Sequence, residues 1–298
     1  MEKDFDVNMY DFFVIGHISL DENIDLQKTE KSVGGAILYS SSVYSSLGYK
    51  VAVLTKLSPA DNHCIDQINV PQQDIFLVPS KKTTSIRNVY FDESREKRVS
   101  TALSTADPFL ITDIPRDISA RVIHFASLIY GEYQADLIKV LSHKAKIAVD
   151  VQGFLRNAQE DGKMFYKSWE GKETYLPYID YLKTDAAEAE FLTGKSNLRK
   201  AAKILHQWGA KEIMITHHRE VIVYDGSHYY QYPLKPENLS GRTGRGDTCF
   251  SSYLSQRLRK DIDESLLFAV ALTSIKLSKP GPFRGKREEV ESFIRENY

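Results

Sequence analysis

Cysteine is scarce in this sequence. Only Cys64 and Cys249 occur among 298 residues, and neither belongs to a Cys-x-x-Cys pair. Two cysteines cannot form the disulfide framework of a small secreted domain, and they do not have the spacing of a zinc ribbon. The sequence therefore favours a reducing compartment, and we expect the protein to be cytoplasmic.

An excess of charge of either sign is also absent. The 39 Lys and Arg residues are balanced by 40 Asp and Glu residues, which gives a formal net charge of −1. Proteins that bind along a nucleic-acid backbone usually carry a clear basic excess, so nucleic acid is not an expected partner. The balance does not exclude a small anionic ligand, because a few local groups can hold one.

Long apolar runs are missing as well. The N-terminal region contains acidic side chains and only one short apolar stretch, Phe12–Ile15. A membrane span needs about 20 apolar residues, and a signal peptide needs a basic start and a longer apolar run. We therefore expect neither membrane association nor secretion.

Short apolar runs alternate along the chain with longer helical patterns. Several runs are continuous rather than alternating, which is typical of strands buried on both faces of a parallel sheet. Helices are predicted at Ala36–Leu47, Leu198–Trp208 and Ser265–Leu277. The alternation predicts an α/β fold with a mostly parallel sheet and helices on both faces. The predicted strands are Phe12–Ile15, Val51–Thr55, Val122–Ala126, Ile147–Val151, Tyr178–Lys183, Glu212–Thr216, Val221–Tyr224 and Tyr229–Tyr232.

The region Lys81–Phe109 has a different pattern. Two strand-like pieces, Thr83–Phe91 and Arg98–Leu103, flank the charged turn Asp92–Lys97. Their polar alternation predicts a hairpin with one solvated face. The pattern fits a small accessory sheet or lid, and it fits a plain surface hairpin equally well.

A glycine-rich segment, Ser240–Phe250, leads directly into a helical pattern. Glycines before a helix let successive backbone N–H groups point at one spot, and the helix N-terminus adds partial positive charge there. This predicts an anion cradle. Asp247 lies at its mouth, where it fits a general base that deprotonates a hydroxyl attacking a phosphate. The alternative is that Asp247 is only the N-cap of the helix.

Three weaker segments also suggest chemistry. Gly34-Gly35 opens a helix and allows either close approach to a ligand or a tight turn. Asp185 and Glu188 are three residues apart, so they would share one helical face, as a hard-cation site requires; acids in a first helical turn are also common for dipole reasons. Asp21 follows the first strand, at the end where open α/β sheets bind ligands, although a solvated loop carboxylate is the simpler interpretation.

Taken together and in this order, these segments resemble the PfkB/ribokinase family of carbohydrate and nucleoside kinases. The first strand with Gly16 and Asp21 resembles the family's opening, and Gly34-Gly35 resembles its Gly-Gly substrate signature. Asp185 to Glu188 resembles its Asn-x-x-Glu motif, and Gly244-Arg245-Gly246-Asp247 resembles its C-terminal Gly-Ala-Gly-Asp signature. The last match is the most specific, and the resemblance spans nearly the whole chain.

The resemblance implies a three-layer α/β/α sandwich with a small β-sheet lid. It predicts one ribokinase-like domain over residues 1–298, with a lid formed by about residues 17–33 and 81–109. It also implies ATP and Mg²⁺ as cofactors, a small-molecule substrate, and a homodimer formed through the lid.

The same resemblance assigns roles to individual positions. Asp247 is the predicted catalytic base, and the amides of Gly244, Arg245 and Gly246 stabilise charge on the phosphoryl group. The predicted substrate-binding residues are Ser19, Asp21, Gly34, Gly35, Tyr39, Gln152 and Arg156. The predicted nucleotide-binding residues are Asp185, Thr216, Arg242, Thr243 and Gly244. Glu188 and Asp185 are the predicted Mg²⁺ residues, acting through water.

Several residues depart from the family pattern. Gly241-Arg242 stands where relatives usually have an Asp-Thr pair that helps bind a monovalent cation, and Arg245 replaces the signature Ala. We therefore expect arginines to supply the positive charge that potassium supplies in relatives. Asp185 replaces the motif Asn, and we expect its charge to be balanced by magnesium or Arg245. Tyr39 replaces a substrate-contacting Asn, and a phenol can stack on a sugar ring, donate one hydrogen bond, or simply fill core space.

Two further segments concern the phosphoryl donor and the substrate that accepts the phosphoryl group. His217-His218 follows Thr216 where relatives have a glycine-containing nucleotide loop, and we expect both histidines to lie in a loop rather than to bind metal. Gln152 and Arg156 follow a central strand and either reach the cleft or belong to a structural turn. The sequence thus predicts an ATP-dependent kinase for a sugar-like polyol. The alternatives are a nucleoside or inositol kinase and a non-catalytic binding relative.

Overall fold

The structure, a computed structural model, describes residues 9–25, 28–91 and 98–298. The strands, in chain order, are β1 (Tyr10–Ile15), β2 (Ser19–Ile24), β3 (Thr29–Gly34), β4 (Val51–Leu57), β5 (Ile75–Pro79), β6 (Thr84–Tyr90), β7 (Arg98–Ser104), β8 (Ala120–Phe125), β9 (Lys146–Asp150), β10 (Arg156–Ala158), β11 (Met164–Tyr166), β12 (Tyr181–Asp185), β13 (Glu212–Thr216), β14 (Glu220–Tyr224) and β15 (Tyr229–Pro233). The helices are α1 (Ala36–Ser46), α2 (Leu137–Leu141), α3 (Gln152–Leu155), α4 (Lys172–Tyr175), α5 (Ala186–Thr193), α6 (Leu198–Gln207), α7 (Arg245–Arg257), α8 (Ile262–Leu277) and α9 (Arg287–Asn297).

The large sheet has nine strands in the order β15-β14-β13-β12-β9-β8-β1-β4-β5. Every pair from β13 to β5 is parallel, and β14 and β15 add an antiparallel edge. The predicted mostly parallel sheet is therefore confirmed.

Helices cover both faces of this sheet because its strands are apolar on both faces. In β1, Phe12 and Val14 belong to one core cluster, while Phe13 and Ile15 belong to the other. The first cluster takes in side chains of α1, α7 and α8, and the second takes in side chains of α2, α5 and α6. This is the predicted three-layer α/β/α sandwich, and each fully buried side chain of this size contributes about 1.5–3 kcal/mol.

A second, four-stranded sheet has the order β3-β2-β6-β7. In β6, every second residue is buried, which is the alternation predicted for Thr83–Phe91. The pairing of β6 with β7 confirms the predicted hairpin, and its pairing with β2 shows that the hairpin belongs to an accessory sheet. The predicted turn Asp92–Lys97 lies outside the described residues.

A short hairpin, β10–β11, attaches to this small sheet. The N–H of Ala102 in β7 donates to the carbonyl oxygen of Gly162 at 2.8 Å, and Thr101 forms a bridge with Lys163. Each strand of the hairpin has only three residues. The hairpin was not predicted, and it forms one wall of the site described below.

One predicted strand begins in the wrong place. The run predicted as Tyr178–Lys183 starts as a strand only at Tyr181 and continues to Asp185. The residues Leu176–Tyr178 form a 3₁₀ turn that contains Pro177, so the apolar pattern there belongs to a turn that packs on the core. None of the helices in the described residues combines the length and apolar character that crossing a bilayer demands.

Candidate active site

A cavity of about 600 Å³ opens where the carboxyl ends of β9, β12 and β13 meet the N-terminus of α7. The small sheet contributes Tyr90 and Ser100 to its wall, and the β10–β11 hairpin contributes Lys163 and Tyr166. Open α/β sheets bind ligands at the carboxyl ends of their strands. The cavity therefore lies where the fold favours a site.

Gly244 shapes the bottom of this cavity. It is the N-cap of α7 with a φ of 78°, and a Cβ atom there would lie 2.2 Å from Cδ1 of Tyr39. Only glycine fits both the left-handed backbone and the ring contact. The first α-helical bond of α7 runs from the N–H of Thr248 to the carbonyl oxygen of Gly244 at 2.9 Å. The N–H of Arg245 donates to the carbonyl oxygen of Arg242 at 3.2 Å, which leaves the N–H groups of Gly244 and Gly246 for an anion in the predicted cradle.

Asp247 lies in the first turn of α7 and lines the cavity. The N-cap interpretation of this residue is wrong, because Gly244 is the N-cap and no side chain caps the helix. Burial, together with the charge of Asp150, raises the pKa of Asp247 to about 6, although Lys183 opposes the shift. Asp247 is therefore mostly ionised at neutral pH but more basic than an ordinary aspartate, which suits a general base.

A buried ion pair lies beside Asp247. The Nζ atom of Lys183 lies 2.8 Å from Oδ2 of Asp150, and the two side chains are 5% and 3% exposed. A Cβ atom on Gly246 would lie 2.9 Å from this Nζ, so glycine makes room for the ammonium group. Burial disfavours the charge, but Asp150 and Glu188 raise the pKa of Lys183 above its usual value. The ammonium therefore contributes a fixed positive charge beneath the cradle.

Asp185 and Glu188 form a capping box at the start of α5. The N–H of Asp185 donates to Oε2 of Glu188, and the N–H of Glu188 donates to Oδ1 of Asp185, both at 2.8 Å. Asp185 is thus the N-cap and not a helical residue, so the interpretation that both acids share one helical face is corrected. Both line the cavity. Burial and the charge of Asp185 raise the pKa of Glu188.

Three other predicted residues line the same cavity. Thr216 pairs with Asp185 across β13 and β12 and is 2% exposed. Gln152 follows β9, and its N–H donates to Oδ1 of Asp150 at 3.1 Å. Arg156 begins β10 and also reaches the cavity. Gln152 therefore begins the short helix α3 and faces the site at the same time.

Arg242, Thr243 and Arg245 complete the predicted set at this wall. His217 and His218 lie between β13 and β14, as expected for loop residues, with ring centroids 3.9 Å apart.

Another group of predicted residues lies at the junction of the two sheets. Ser19 pairs with Gly34 across β2 and β3, and a Cβ atom on Gly34 would lie 2.4 Å from Oδ2 of Asp21. Asp21 is therefore part of a strand and packs over a glycine, which overturns the solvated-loop interpretation. Gly35 has a φ of 107°, and a Cβ atom there would lie 2.6 Å from the carbonyl oxygen of His17. Gly35 is therefore required by a backbone contact and a positive φ, whereas a side chain at position 34 would displace the Asp21 carboxylate.

Tyr39 connects the two groups. It is 8% exposed and packs beneath Gly244, so it fills core space at the border of the site. Burial raises the pKa of the Tyr39 phenol, and the charges of Asp247 and Asp21 raise it further. The phenol is thus within electrostatic reach of both carboxylates.

The segment before the cradle is bonded to the C-terminal end of α8. The N–H of Gly241 donates to the carbonyl oxygen of Leu277 at 2.7 Å, and Oγ of Ser240 donates to the carbonyl oxygen of Ser278 at 3.0 Å. A Cβ atom on Gly241 would lie 2.0 Å from the carbonyl oxygen of Lys279. The two segments are therefore in direct contact.

Sequence reasoning missed several residues of this site. Lys183 gave only a weak signal, since the predicted strand Tyr178–Lys183 also contains the charged residue Asp180. Lys276 was detectable, since it is the charged residue in the nearly apolar stretch Ser265–Leu277 of α8. Lys163 and Tyr166 carried no signal, because the hairpin that presents them was not recognised.

Comparison with known proteins identifies the family of this chain. The chain matches the model of the pfkB family carbohydrate kinases over residues 6–286. A cytidine kinase of Thermococcus kodakarensis is 28% identical over 255 residues, which cover 83% of this chain and 88% of that protein.

Solved structures extend the comparison. A sulfate complex of a pyrophosphate-dependent kinase in the ribokinase family is 38% identical, with a TM-score of 0.85 over 94% of this chain and 99% of that one. A pyrophosphate-dependent kinase of the ribokinase family complexed with a pyrophosphate analog and myo-inositol is also 38% identical, with a TM-score of 0.84 over the same shares. Arabidopsis thaliana ribokinase complexed with ribose and ATP shares the fold, at 15% identity and a TM-score of 0.76 over 96% of this chain and 99% of that one. This chain belongs to the pfkB family of carbohydrate kinases.

Proposed function

We propose that this kinase transfers a phosphoryl group from inorganic pyrophosphate to a hydroxyl group of a cyclitol such as myo-inositol. The observation that carries the proposal is the composition of the cavity wall. Arg156, Lys163, Arg242 and Arg245 line it together with the α7 cradle, which suits a compact, highly charged anion. Solved relatives at 38% identity are described as pyrophosphate-dependent, and one is bound to myo-inositol.

The donor proposed here is not the ATP predicted from sequence. A nucleotide needs room for a base beside its phosphates, and the segment Ser240–Gly241 is instead bonded directly to the end of α8. The ribokinase bound to ATP shares only the fold with this chain. Pyrophosphate needs no base-binding slot, and we therefore favour it over ATP.

Asp247 would take the proton of the acceptor hydroxyl, whose oxygen then bonds to the nearer phosphorus while orthophosphate leaves. The N–H groups of Gly244 and Gly246 would stabilise charge on the phosphoryl oxygens, the largest single contribution in such reactions, whereas the predicted N–H of Arg245 already donates to the carbonyl oxygen of Arg242. Asp21 would orient the acceptor, together with Ser19, whose Oγ is buried and has no hydrogen-bond partner among the described residues.

The acidic side of the cavity fits a magnesium ion. Asp185 and Glu188 each use one carboxylate oxygen in the capping box and line the cavity. Carboxylate oxygens and water are the ligands that Mg²⁺ prefers, and a cation would offset the burial that raises the pKa of Glu188. When bound, the ion would neutralise charge on the donor's phosphoryl oxygens.

We further propose that the small sheet is the lid of this site and that the whole chain is one domain. Tyr90 and Ser100 of this sheet line the cavity, as a lid that excludes water requires. Apolar side chains are exposed on this sheet and next to it, with Leu103 of β7 45% exposed and Phe91, just after β6, 58% exposed, which supports pairing of two chains through their lids. Both cysteines are free and buried, which supports a reducing compartment such as the cytoplasm.

The test compares turnover with different phosphoryl donors and acceptors, with the products detected by ³¹P NMR. With Mg²⁺ and myo-inositol, pyrophosphate should yield a phosphomonoester and orthophosphate, and ATP or CTP should yield far less. Asp247→Asn should lower turnover by about 10²- to 10⁴-fold, while Asp117→Asn, a change at an exposed position, should not. Faster turnover with ATP would refute the donor assignment, and normal turnover of Asp247→Asn would refute the base.

A further inference from the structure

A buried lysine lies next to the cradle without a carboxylate partner. Lys276 is in the last turn of α8 and is 2% exposed. Its Nζ donates to the carbonyl oxygens of Gly241 and Thr243, and it lies 5.3 Å from the ring centroid of Tyr39. In the part of the chain that the structure describes, no ion pair includes Lys276. The ammonium is therefore held by backbone oxygens and an aromatic face.

Burying an ammonium group without a carboxylate partner lowers the stability of the folded protein. Transferring an ammonium group out of water disfavours its charge, and burial accordingly lowers the pKa of Lys276 to about 8, although Asp247 opposes the shift. A leucine or methionine at this position would fill the same space in an apolar helix without that cost. The lysine consequently calls for a role other than stability.

The geometry of the peptide bond shows how Lys276 can orient the N–H groups of the cradle. A peptide unit is planar and trans, so its carbonyl oxygen and its N–H group point in opposite directions. The carbonyl oxygen of Thr243 points at Lys276, and the N–H in the same peptide unit belongs to Gly244, which lines the cavity. The same holds for the carbonyl of Gly241 and the N–H of Arg242. By holding two carbonyls on one side, the ammonium directs two N–H groups to the other.

We propose that Lys276 is a positioning residue whose ammonium orders the anion cradle, as a bound monovalent cation would, and so makes this chain independent of such cations. Sequence reasoning assigned that charge to Arg242 and Arg245, but those residues line the cavity, whereas Lys276 contacts the backbone behind it. The proposal rests on the proposed phosphoryl-transfer site, and it does not depend on the choice of donor.

The test compares Lys276→Met with Lys279→Met. Lys279 lies three residues away on the surface, with a side chain that is 70% exposed and paired with Glu289 at 2.9 Å, and it therefore serves as the matched control. Hydrogen exchange of the segment 240–250 needs no substrate. We expect faster exchange there in Lys276→Met, and slowing of that exchange when Na⁺ is replaced by K⁺ or NH₄⁺. Lys279→Met should match the wild type.

Turnover with pyrophosphate and myo-inositol provides the second readout. We expect kcat of Lys276→Met to fall on the order of 100-fold, as when one oxyanion donor is lost, with partial rescue by K⁺ or NH₄⁺. The kcat of the wild type should change by less than about twofold between Na⁺ and K⁺, since the ammonium of Lys276 already occupies the carbonyl oxygens of Gly241 and Thr243. If neither readout responds to cations in Lys276→Met, or if K⁺ strongly activates the wild type, the proposal is wrong.

The two proposals fail in different ways. If the exchange results agree but no donor is turned over, only the proposed function fails. If turnover is normal in Lys276→Met, only the role of Lys276 fails. Should Lys276→Met not fold, the cation response of the wild type still decides the matter.

Discussion

Substitution of Gly244 by alanine tests the contact on which the cradle rests. Its φ of 78° places a non-glycine residue in the left-handed region, which costs about 1–2 kcal/mol. The new Cβ would also lie 2.2–2.4 Å from three atoms of the Tyr39 ring, and such overpacking costs about 1–3 kcal/mol. We therefore expect Gly244→Ala to lower the free energy of unfolding by about 2–5 kcal/mol in total.

A second glycine separates the two contributions. Gly48 has a φ of 81°, but no atom lies within 4 Å of its Cβ position. Gly48→Ala should therefore cost only the backbone strain of about 1–2 kcal/mol. Urea denaturation followed by circular dichroism gives both values, and Gly244→Ala combined with Tyr39→Ala completes a double-mutant cycle with an expected coupling of about 1–3 kcal/mol. Equal costs for the two glycines, or no coupling to Tyr39, would refute the reasoning.

Three other predictions concern the site. Because the pKa of Asp247 is raised to about 6, kcat/KM should be about tenfold lower at pH 5 than at pH 8. A flat profile of kcat/KM against pH would argue against Asp247 as the base. A raised pKa also means that the folded state prefers the protonated carboxyl, so acid does not destabilise the protein through this group. Thermal melting at both pH values checks this second expectation. Lys183→Met should lower the free energy of unfolding by about 3–5 kcal/mol by leaving Asp150 buried and unpaired, and adding Asp150→Asn should recover much of the loss in urea denaturation. Gly34→Ala should displace the Asp21 carboxylate and lower kcat/KM for the acceptor on the order of 10- to 100-fold, measured by acceptor titration, and unchanged kinetics would remove Asp21 from acceptor binding.

The main sheet was predictable because its strands are buried on both faces. Phe12–Ile15 is a continuous apolar run for that reason, as is Ile213–Ile215 within Glu212–Thr216, and both predicted positions agree with the structure. The edge strand β5 was missed although Ile75–Val78 is a continuous apolar run of the same kind. Short strands such as β10 and β11 carry too few residues to establish a period.

The site was predictable only where its chemistry is local in sequence. The predicted cradle and Asp247 lie within a few consecutive residues, so glycine spacing and a helix start were enough to predict them. Lys276 contacts Gly241 across 35 residues, and Lys183 pairs with Asp150 across 33. Such contacts arise from the packing of separate elements, and no periodicity in the sequence records them.

The capping box at Asp185 and Glu188 constrains how this kinase can change. Both carboxylates start helix α5 whether or not they bind a metal. Asn caps a helix about as well as Asp, so exchange with the family's Asn preserves the fold, whereas alanine costs about 1 kcal/mol of stability. Asp185→Asn is therefore the substitution that removes the carboxylate charge and keeps the helix cap. Loss of activity on alanine substitution there would measure a damaged helix as much as a missing ligand.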